Sequence, residues 1–512
     1  MSSKYYDNVK KTKEDLETIS STMCLAKWYQ VSLHLPQGLT QSCYHPPTHL
    51  IPVVQLDDNP GVLHNTPEKI EQRKQMLKGE RPSGCQYCWN IEDAPSGPHY
   101  SDRHYRSSEW WVEDKLRDAK KETWTALPRY VEVNFNQACN FKCVYCSPHL
   151  STAWETEVKE HGAVPTANGF HNDINSLDHK GLMPIKVSNS ENPYVQAFWK
   201  WWPDLYKELK VFRMTGGEPL MDKNTFKVLD YVDKNPNAFL DLSITSNMCP
   251  PSQELFDKFI SKLQKLEEVR IWEDQEKINP HTGNNWYVSP ACKHFSLFVS
   301  VDSVGEHAEY IREGLDFARM IENVKSVLNN THGTEITFIN TFNLMSVPRL
   351  KDFLQLILDL RVEFGFENQS ELEITPPKQG NLTHPPFVRK RRQRIWFDIP
   401  YLRSPDWMAV ENLFEYKEYT DTLNECLDFM IKNREDENYS KTFHGFKEYE
   451  IDKLRRNIAH MKQSFIHMSE TTKSERKQSF KKYFNALDSR RNRNFSKTFP
   501  ELETWYNDCS QT

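Results

Sequence analysis

A chain of 512 residues is long enough for about three domains, and 38% apolar with 12% aromatic content supplies real hydrophobic cores, which excludes a disordered chain. A net charge of -6 points to no particular partner, and no run approaches the roughly 20 apolar residues of a membrane span, so no membrane association is expected. The opening Met1-Ser-Ser-Lys is too polar for a signal peptide, and eleven Cys, an odd number, argue for reduced metal-binding thiols rather than disulfides, so a cytoplasmic protein is expected.

Residues 1–128 read as a cysteine-containing module. Gly38 stands five residues before Cys43, and Gly84-Cys85-Gln-Tyr-Cys88 is a knuckle able to give two thiolates to one metal. With Cys24 these make four soft ligands, which suit a fully ligated 4Fe-4S cluster or a tetrahedral zinc; residue type alone does not choose between them. Unliganded structural thiols are the bland alternative, strongest for the widely separated Cys24 and Cys43.

From about residue 129 to 385, strand and helix patterns alternate. Val131, Val133 and Phe135 alternate with Glu132 and Asn134, and further strands are predicted at Val211–Thr215, Leu240–Thr245, Leu297–Asp302, Ile336–Thr341 and Leu372–Thr375. Between them, Leu255, Phe256, Phe259, Ile260 and Leu263 share one helical face. So do Phe317, Met320, Ile321, Val324 and Leu328, and likewise Leu350, Phe353, Leu354 and Ile357. Six strands separated by helices predict an α/β fold with a parallel sheet, closed as a partial (β/α)6 TIM-like barrel whose reactive groups lie at the carboxyl ends of the strands. Residues from about 151 to 192 and 268 to 290 interrupt the rhythm and read as insertions on loops. Phe198-Trp-Lys-Trp201-Trp202 reads as the core face of the helix leading into the second strand, with base stacking as the weaker reading. Residues 386–512 form a basic, mostly helical extension: Val388 to Arg394 holds five positive charges, and residues 441–500 contain 15 Lys plus Arg against 6 Asp plus Glu. Such a surplus would steer nucleic acid or an acidic polypeptide, but with no recognised nucleic-acid motif beside it a solvated helix face is favoured.

The most informative segment follows the first predicted strand. Cys139, Cys143 and Cys146 place three thiolates within eight residues, enough to hold three irons of a 4Fe-4S cube and leave the fourth iron open. Chance gives two further Cys at fixed offsets about once in two thousand. After the second strand comes Gly216-Gly217-Glu218-Pro219, where paired glycines permit close backbone approach to a ligand and a carboxylate accepts from an ammonium group. Ser243, Thr245 and Asn247 share the polar side of the third strand, and Ser300 and Asp302 that of the fourth, with Arg312 just beyond. Cys249, Cys292, Cys426 and Cys509 sit in no ligand spacing and read as structural or free thiols.

The C-x3-C-x2-C spacing, followed one βα unit later by Gly-Gly-Glu-Pro, resembles the signature of the radical S-adenosylmethionine (SAM) superfamily. Longer stretches, including Met76 to Cys85, Ser300 to Glu306, Leu487 to Arg491 and Phe499 to Leu502, are similar to twitch-domain radical SAM proteins of tailed bacteriophages and some bacteria. The auxiliary-cluster module of the twitch and SPASM branch usually follows the barrel, whereas the four Cys here precede it.

This resemblance implies an enzyme that reductively cleaves SAM at a 4Fe-4S cluster on Cys139, Cys143 and Cys146, yielding a 5'-deoxyadenosyl radical that takes hydrogen from a substrate. It implies Gly216, Gly217 and Glu218 at the SAM methionine, Ser243 and Asn247 at the ribose, and Ser300 and Arg312 near the carboxylate; no catalytic His or Ser is required. A second 4Fe-4S cluster, or zinc, would sit on Cys24, Cys43, Cys85 and Cys88. The implied partners are a low-potential electron donor of flavodoxin or ferredoxin type and a peptide or protein substrate, in the host cytoplasm if the gene is viral. A nucleic-acid-modifying enzyme and a non-catalytic, metal-stabilised interaction protein remain as alternatives.

Overall fold

The computed structural model describes residues 3–95, 99–116, 124–167, 169–274, 277–279, 283–364, 371–376, 378, 386–390, 393–435 and 444–509. The chain divides into two units: Met1–Asn136, Pro184–Gly216 and Phe239–Ser243 make the first, and Gln137–Met183, Gly217–Ala238 and Ile244–Thr512 the second. Parallel strands lie at the centre of each, so the fold is mixed α/β as the alternation predicts. No helix among the described residues is long and apolar enough to cross a membrane.

In the first unit, Gln30–His34, Tyr130–Asn134 and Val211–Thr215 run parallel, with Ser32 beside Glu132 and Glu132 beside Arg213. Period-two alternation buries Val31, Leu33, Val131, Val133, Phe212 and Met214 on one face. That face is covered by the helix Pro193–Glu208, started by the Asn192 side chain, which accepts from the backbone N–H groups of Tyr194 and Val195. Phe198, Trp201 and Trp202 are buried there, and the Trp202 and Phe212 rings lie 4.9 Å apart, so the Trp-rich segment is core. The strands Leu39–Gln41 and His49–Leu50 add antiparallel to the edge of Gln30–His34.

In the second unit, Cys292–Ser300, Glu335–Ile339 and Ile395–Asp398 are parallel neighbours, with Val299 beside Phe338 and Phe338 beside Phe397. The helices Gln253–Glu267, Phe317–Asn330 and Leu350–Phe364 bury the predicted apolar stripes, including Phe259 and Leu263, Met320 and Val324, and Phe353 and Ile357. The long strand Asn237–Ser246 is shared out between the two units.

Two predicted elements require correction. Leu372–Thr375 is not a member of the parallel set: Glu371–Ile374 pairs antiparallel with Phe387–Lys390 as a separate hairpin. The parallel neighbour of Glu335–Ile339 is instead Ile395–Asp398, in the stretch read as helical extension. Likewise the stretches read as loop insertions carry structure: 151–192 contains the helices Thr152–His161 and Ile174–His179, and 268–290 contains the hairpin Arg270–Glu273 with Trp286–Ser289, where Trp272 stacks on Tyr287 at 4.4 Å. Residue 385, at the predicted domain boundary, and Arg391 and Arg392 of the basic run lie outside the described residues.

Beyond the last parallel strand lie the helices Lys417–Lys432, Glu448–Ile466 and Glu470–Arg491. Several basic residues of this C-terminal region are paired with carboxylates of the same unit. Arg476 pairs with Asp406 and Glu411, Lys477 with Glu415 and Asp508, Arg491 with Glu157 and Arg493 with Glu313. Arg394, in the Val388 to Arg394 run, is buried and donates to the carbonyls of Thr334 and Leu328.

Candidate metal centre

Cys139, Cys143 and Cys146 occupy one loop of the second unit, with Cys143 in a two-residue bridge opposite Arg312. That loop is fixed from several sides through its backbone. Ser151 Oγ donates to the Phe141 carbonyl, Trp154 Nε1 to the Cys143 carbonyl at 2.7 Å and Tyr483 Oη to the Val144 carbonyl at 2.9 Å, while Val144 N–H donates to the Ile311 carbonyl. These anchors hold the loop by its carbonyls and one N–H and not by its thiols, none of which is in a disulfide. Burial pushes the Cys139 thiol up to about 12, with the neighbouring Cys143 adding to the effect, and raises Cys143 and Cys146 as well. Thiolates there need a cation to persist, which is what a metal provides.

Arg312 meets part of that need. Its Nη1 lies 3.6 Å from Cys143 Sγ, while Nε and Nη2 approach the Asp302 carboxylate at 2.8 and 3.1 Å. Tyr145, inside the cysteine motif, donates to Asp302 Oδ2, the oxygen that Arg312 Nε also approaches, at 2.8 Å. Burial alone would lower the Arg312 pKa, but Asp302, Tyr145 and Cys143 beside it raise it, so the guanidinium stays charged.

The glycine-rich turn docks directly on this loop. Glu218 N–H donates to the Ala138 carbonyl at 2.7 Å, and a Cβ on Gly217 would overlap that carbonyl. Gly216, in the first unit, has φ +126, and a side chain there would collide with Asn134. The Glu218 carboxylate accepts from Leu220 N–H, Ser246 Oγ and Asn247 N–H at 3.0, 2.8 and 2.7 Å. Burial nonetheless raises its pKa to about 6. A buried carboxylate held this way is suited to a cationic group.

The remaining predicted residues are placed as follows. Asn247 donates to Asn140 Oδ1, and Asn140 in turn donates to the Cys249 carbonyl, so the amide of Asn140 ties the cysteine loop to the segment after the long strand, while Asn247 Oδ1 accepts locally from Cys249 N–H. Ser243 is a buried member of that strand in the first unit, and Ser300 ends the strand Cys292–Ser300. Arg312 faces Asp302 and Cys143, as described. Tyr145 stands in the sequence signature as the aromatic residue before the last Cys, but its bond to Asp302 was not foreseen; Asn140, Trp154 and Tyr483 were missed, and of these only Asn140 carried a signal, its place within the motif.

In the first unit Cys24, Cys43, Cys85 and Cys88 line one pocket, together with Lys27, His45, Trp89, Asp102, Arg103 and Arg106. Cys24 caps the helix Leu25–Tyr29, Cys85 ends the turn Ser83–Cys85 and Cys88 lies on the next helix, Gln86–Glu92. Gly38 turns the chain at φ +68 between the first two strands and so directs Cys43 toward the others. Burial pushes Cys24 up to about 12 and Cys88 to about 11, with the thiols raising one another. Among the described residues no three His, Cys, Asp or Glu side chains are already drawn to metal-ligand spacing. At both places the donor chemistry fits a thiolate-bound metal: three thiols on one loop, and four lining one pocket.

No family model matches the chain. Among curated proteins it is similar to the GTP 3',8-cyclase of Campylobacter lari, 27% identical over 138 residues, or 27% of this chain and 33% of that enzyme. It is also similar to the GTP 3',8-cyclase of Desulforamulus reducens, 26% identical over 153 residues, or 30% of this chain and 36% of that one. The chain thus spans about a third of the length of these relatives.

Proposed function

We propose that the chain is a radical SAM enzyme in which Cys139, Cys143 and Cys146 hold the SAM-binding 4Fe-4S cluster and the Gly216-Gly217-Glu218 turn receives the methionine end of SAM. One observation carries this reading. The turn bearing Glu218 is hydrogen-bonded to the cysteine loop at Ala138, so a cationic amine on Glu218 and a metal on the loop would be held by one rigid pair of backbones. When bound, the reduced cluster supplies the electron that breaks the SAM sulfur–carbon bond. The chain's own part is to fix that loop through Trp154 and Tyr483, to keep Arg312 charged beside Cys143, and to offer the Glu218 carboxylate for recognition.

In this reading the parallel strands belong to a partial (β/α)6 barrel, and the four-thiol pocket is an auxiliary site of twitch type carrying a second 4Fe-4S cluster or zinc. The substrate is a peptide or protein, and a flavodoxin- or ferredoxin-type protein delivers the electron. A nucleic-acid substrate is less well supported, because Arg476, Lys477, Arg491 and Arg493 are engaged with carboxylates of the same chain and Arg394 is buried.

Anaerobically reconstituted protein given dithionite and SAM is expected to form 5'-deoxyadenosine. Full cluster content with no such product would instead favour the non-catalytic, metal-stabilised interaction protein.

A further inference from the structure

Two buried lysines beside the four-thiol pocket of the first unit donate to neutral acceptors, whereas Arg103, which lines the pocket, pairs with Glu92, and Asp102, which also lines it, faces His45. Lys27, 2% exposed, lines the pocket and donates to the neutral Gln72 Oε1 at 2.7 Å. Lys69, 0% exposed, donates to Thr40 Oγ1 at 2.7 Å, and Thr40 stands three residues before Cys43. Arg73, on the same helix as Lys69, donates to the Lys27 and Trp124 carbonyls and to Asn65 Oδ1. Glu68, the nearby carboxylate, is half exposed and faces His49. Among the described residues no Asp or Glu of the first unit is as deeply buried as these lysines, and Glu92, the most buried carboxylate near the pocket at 13% exposed, is taken up by Arg103.

Burying an ammonium beside neutral acceptors alone is strongly unfavourable, and burial with Arg73 and Lys27 nearby holds the Lys69 pKa well below its usual value. Asp102, the carboxylate lining the pocket, is taken up by His45, and the four thiols are the groups able to supply further negative charge. Four thiolates around a 4Fe-4S(2+) core, or around Zn(2+), carry a net charge of -2, which two lysine ammonium groups balance.

Building on the reading of Cys24, Cys43, Cys85 and Cys88 as ligands, we propose that this pocket holds a dianionic tetrathiolate metal centre and that Lys27 and Lys69 are its counter-cations. They are positioning residues: they touch no reactant, and they set how tightly the centre is held.

Co(2+) serves as the probe, because its thiolate charge-transfer absorption reports ligation directly, in full-length chain carrying Cys139→Ala, Cys143→Ala and Cys146→Ala so that only the first-unit thiols respond. Affinity is read by competition with a chelator. Lys27→Met and Lys69→Met are each expected to weaken Co(2+) binding about tenfold or more, whereas Lys27→Arg and Lys69→Arg hold it within about threefold. In metal-free protein, Lys69→Met is expected to leave the melting temperature unchanged or raise it, while the metal-loaded form melts lower than its parent; a purely structural lysine would lower both. Lys69→Gln keeps a hydrogen bond to Thr40 should the methionine fail to fold, and the same tenfold loss is expected of it. Affinities of the Lys27→Met and Lys69→Gln chains within twofold of the parent would overturn the proposal while leaving the four-thiol site standing. Loss of no absorption on Cys85→Ala and Cys88→Ala would overturn the site reading itself.

Discussion

Glu218 is a carboxylate whose surroundings leave its charge short of a partner. Three donors reach it, yet burial still raises its pKa from 4.5 to about 6. Between those values the folded chain binds more protons than the unfolded chain, so ligand-free stability falls as pH rises through this window, by about 2 kcal/mol. Glu218→Gln is expected to flatten that slope in urea titrations across pH 4 to 7, and to weaken SAM binding by calorimetry at least tenfold. Asp302 and Arg312 form the second decisive pair, with 0% and 8% of their side chains exposed. Asp302→Asn leaves Arg312 buried without its anion and is expected to cost about 3 kcal/mol, with Asp302→Asn/Arg312→Met recovering part of it. Glu218 was legible in the sequence because Gly-Gly-Glu-Pro has few alternative uses after a cysteine motif. The Asp302–Tyr145–Arg312 network was not, since a polar strand end and a lone arginine look alike whether solvated or buried.

Among elements, the glycine turn and the cysteine loop act as one. A Cβ at 217 would drive the Ala138 carbonyl away, so Gly217→Ala is expected to lower iron retention after reconstitution even though no ligand changes; Gly→Ala at an exposed site such as Gly169 serves as control. The helix Glu470–Arg491 supports that loop through Tyr483, and Tyr483→Phe is expected to cost about 1 kcal/mol by leaving the buried Val144 carbonyl short of a donor. The parallel strands with long apolar runs were readable from alternation. The strand Gln30–His34 was hidden because it alternates only Val31 and Leu33 amid polar residues, and Ile395–Asp398 because it follows directly on a basic run. Leu372–Thr375 has the right composition for a central strand, but its partner is a neighbouring hairpin arm, a pairing that composition does not encode.

On the scale of the chain, charge counted along the sequence misled where charge placed in space does not. The excess of Lys and Arg between 441 and 500 resembles a docking surface, but much of it is spent on internal carboxylates, as in Arg491 with Glu157 at 3.1 Å. The C-terminal helices are bound to the rest of the second unit by the buried Arg361–Glu450 pair at 2.7 Å, each side chain 1% exposed. Glu450→Ala is therefore expected to destabilise by about 3–5 kcal/mol in chemical denaturation. In the first unit the balance is reversed: among the described residues fully buried Lys and Arg outnumber fully buried Asp and Glu, the imbalance that our proposal assigns the four thiolates to offset.

The claim on which the rest depends is that three thiols on one loop grip an iron–sulfur cube. Iron and acid-labile sulfide per chain, measured after anaerobic reconstitution of the native protein and of the Cys139→Ala/Cys143→Ala/Cys146→Ala chain, test it most directly. A loss of about four irons and four sulfides in the substituted chain, with loss of the SAM-dependent change in its reduced EPR spectrum, is the predicted result. Equal iron and sulfide in the two proteins would contradict it.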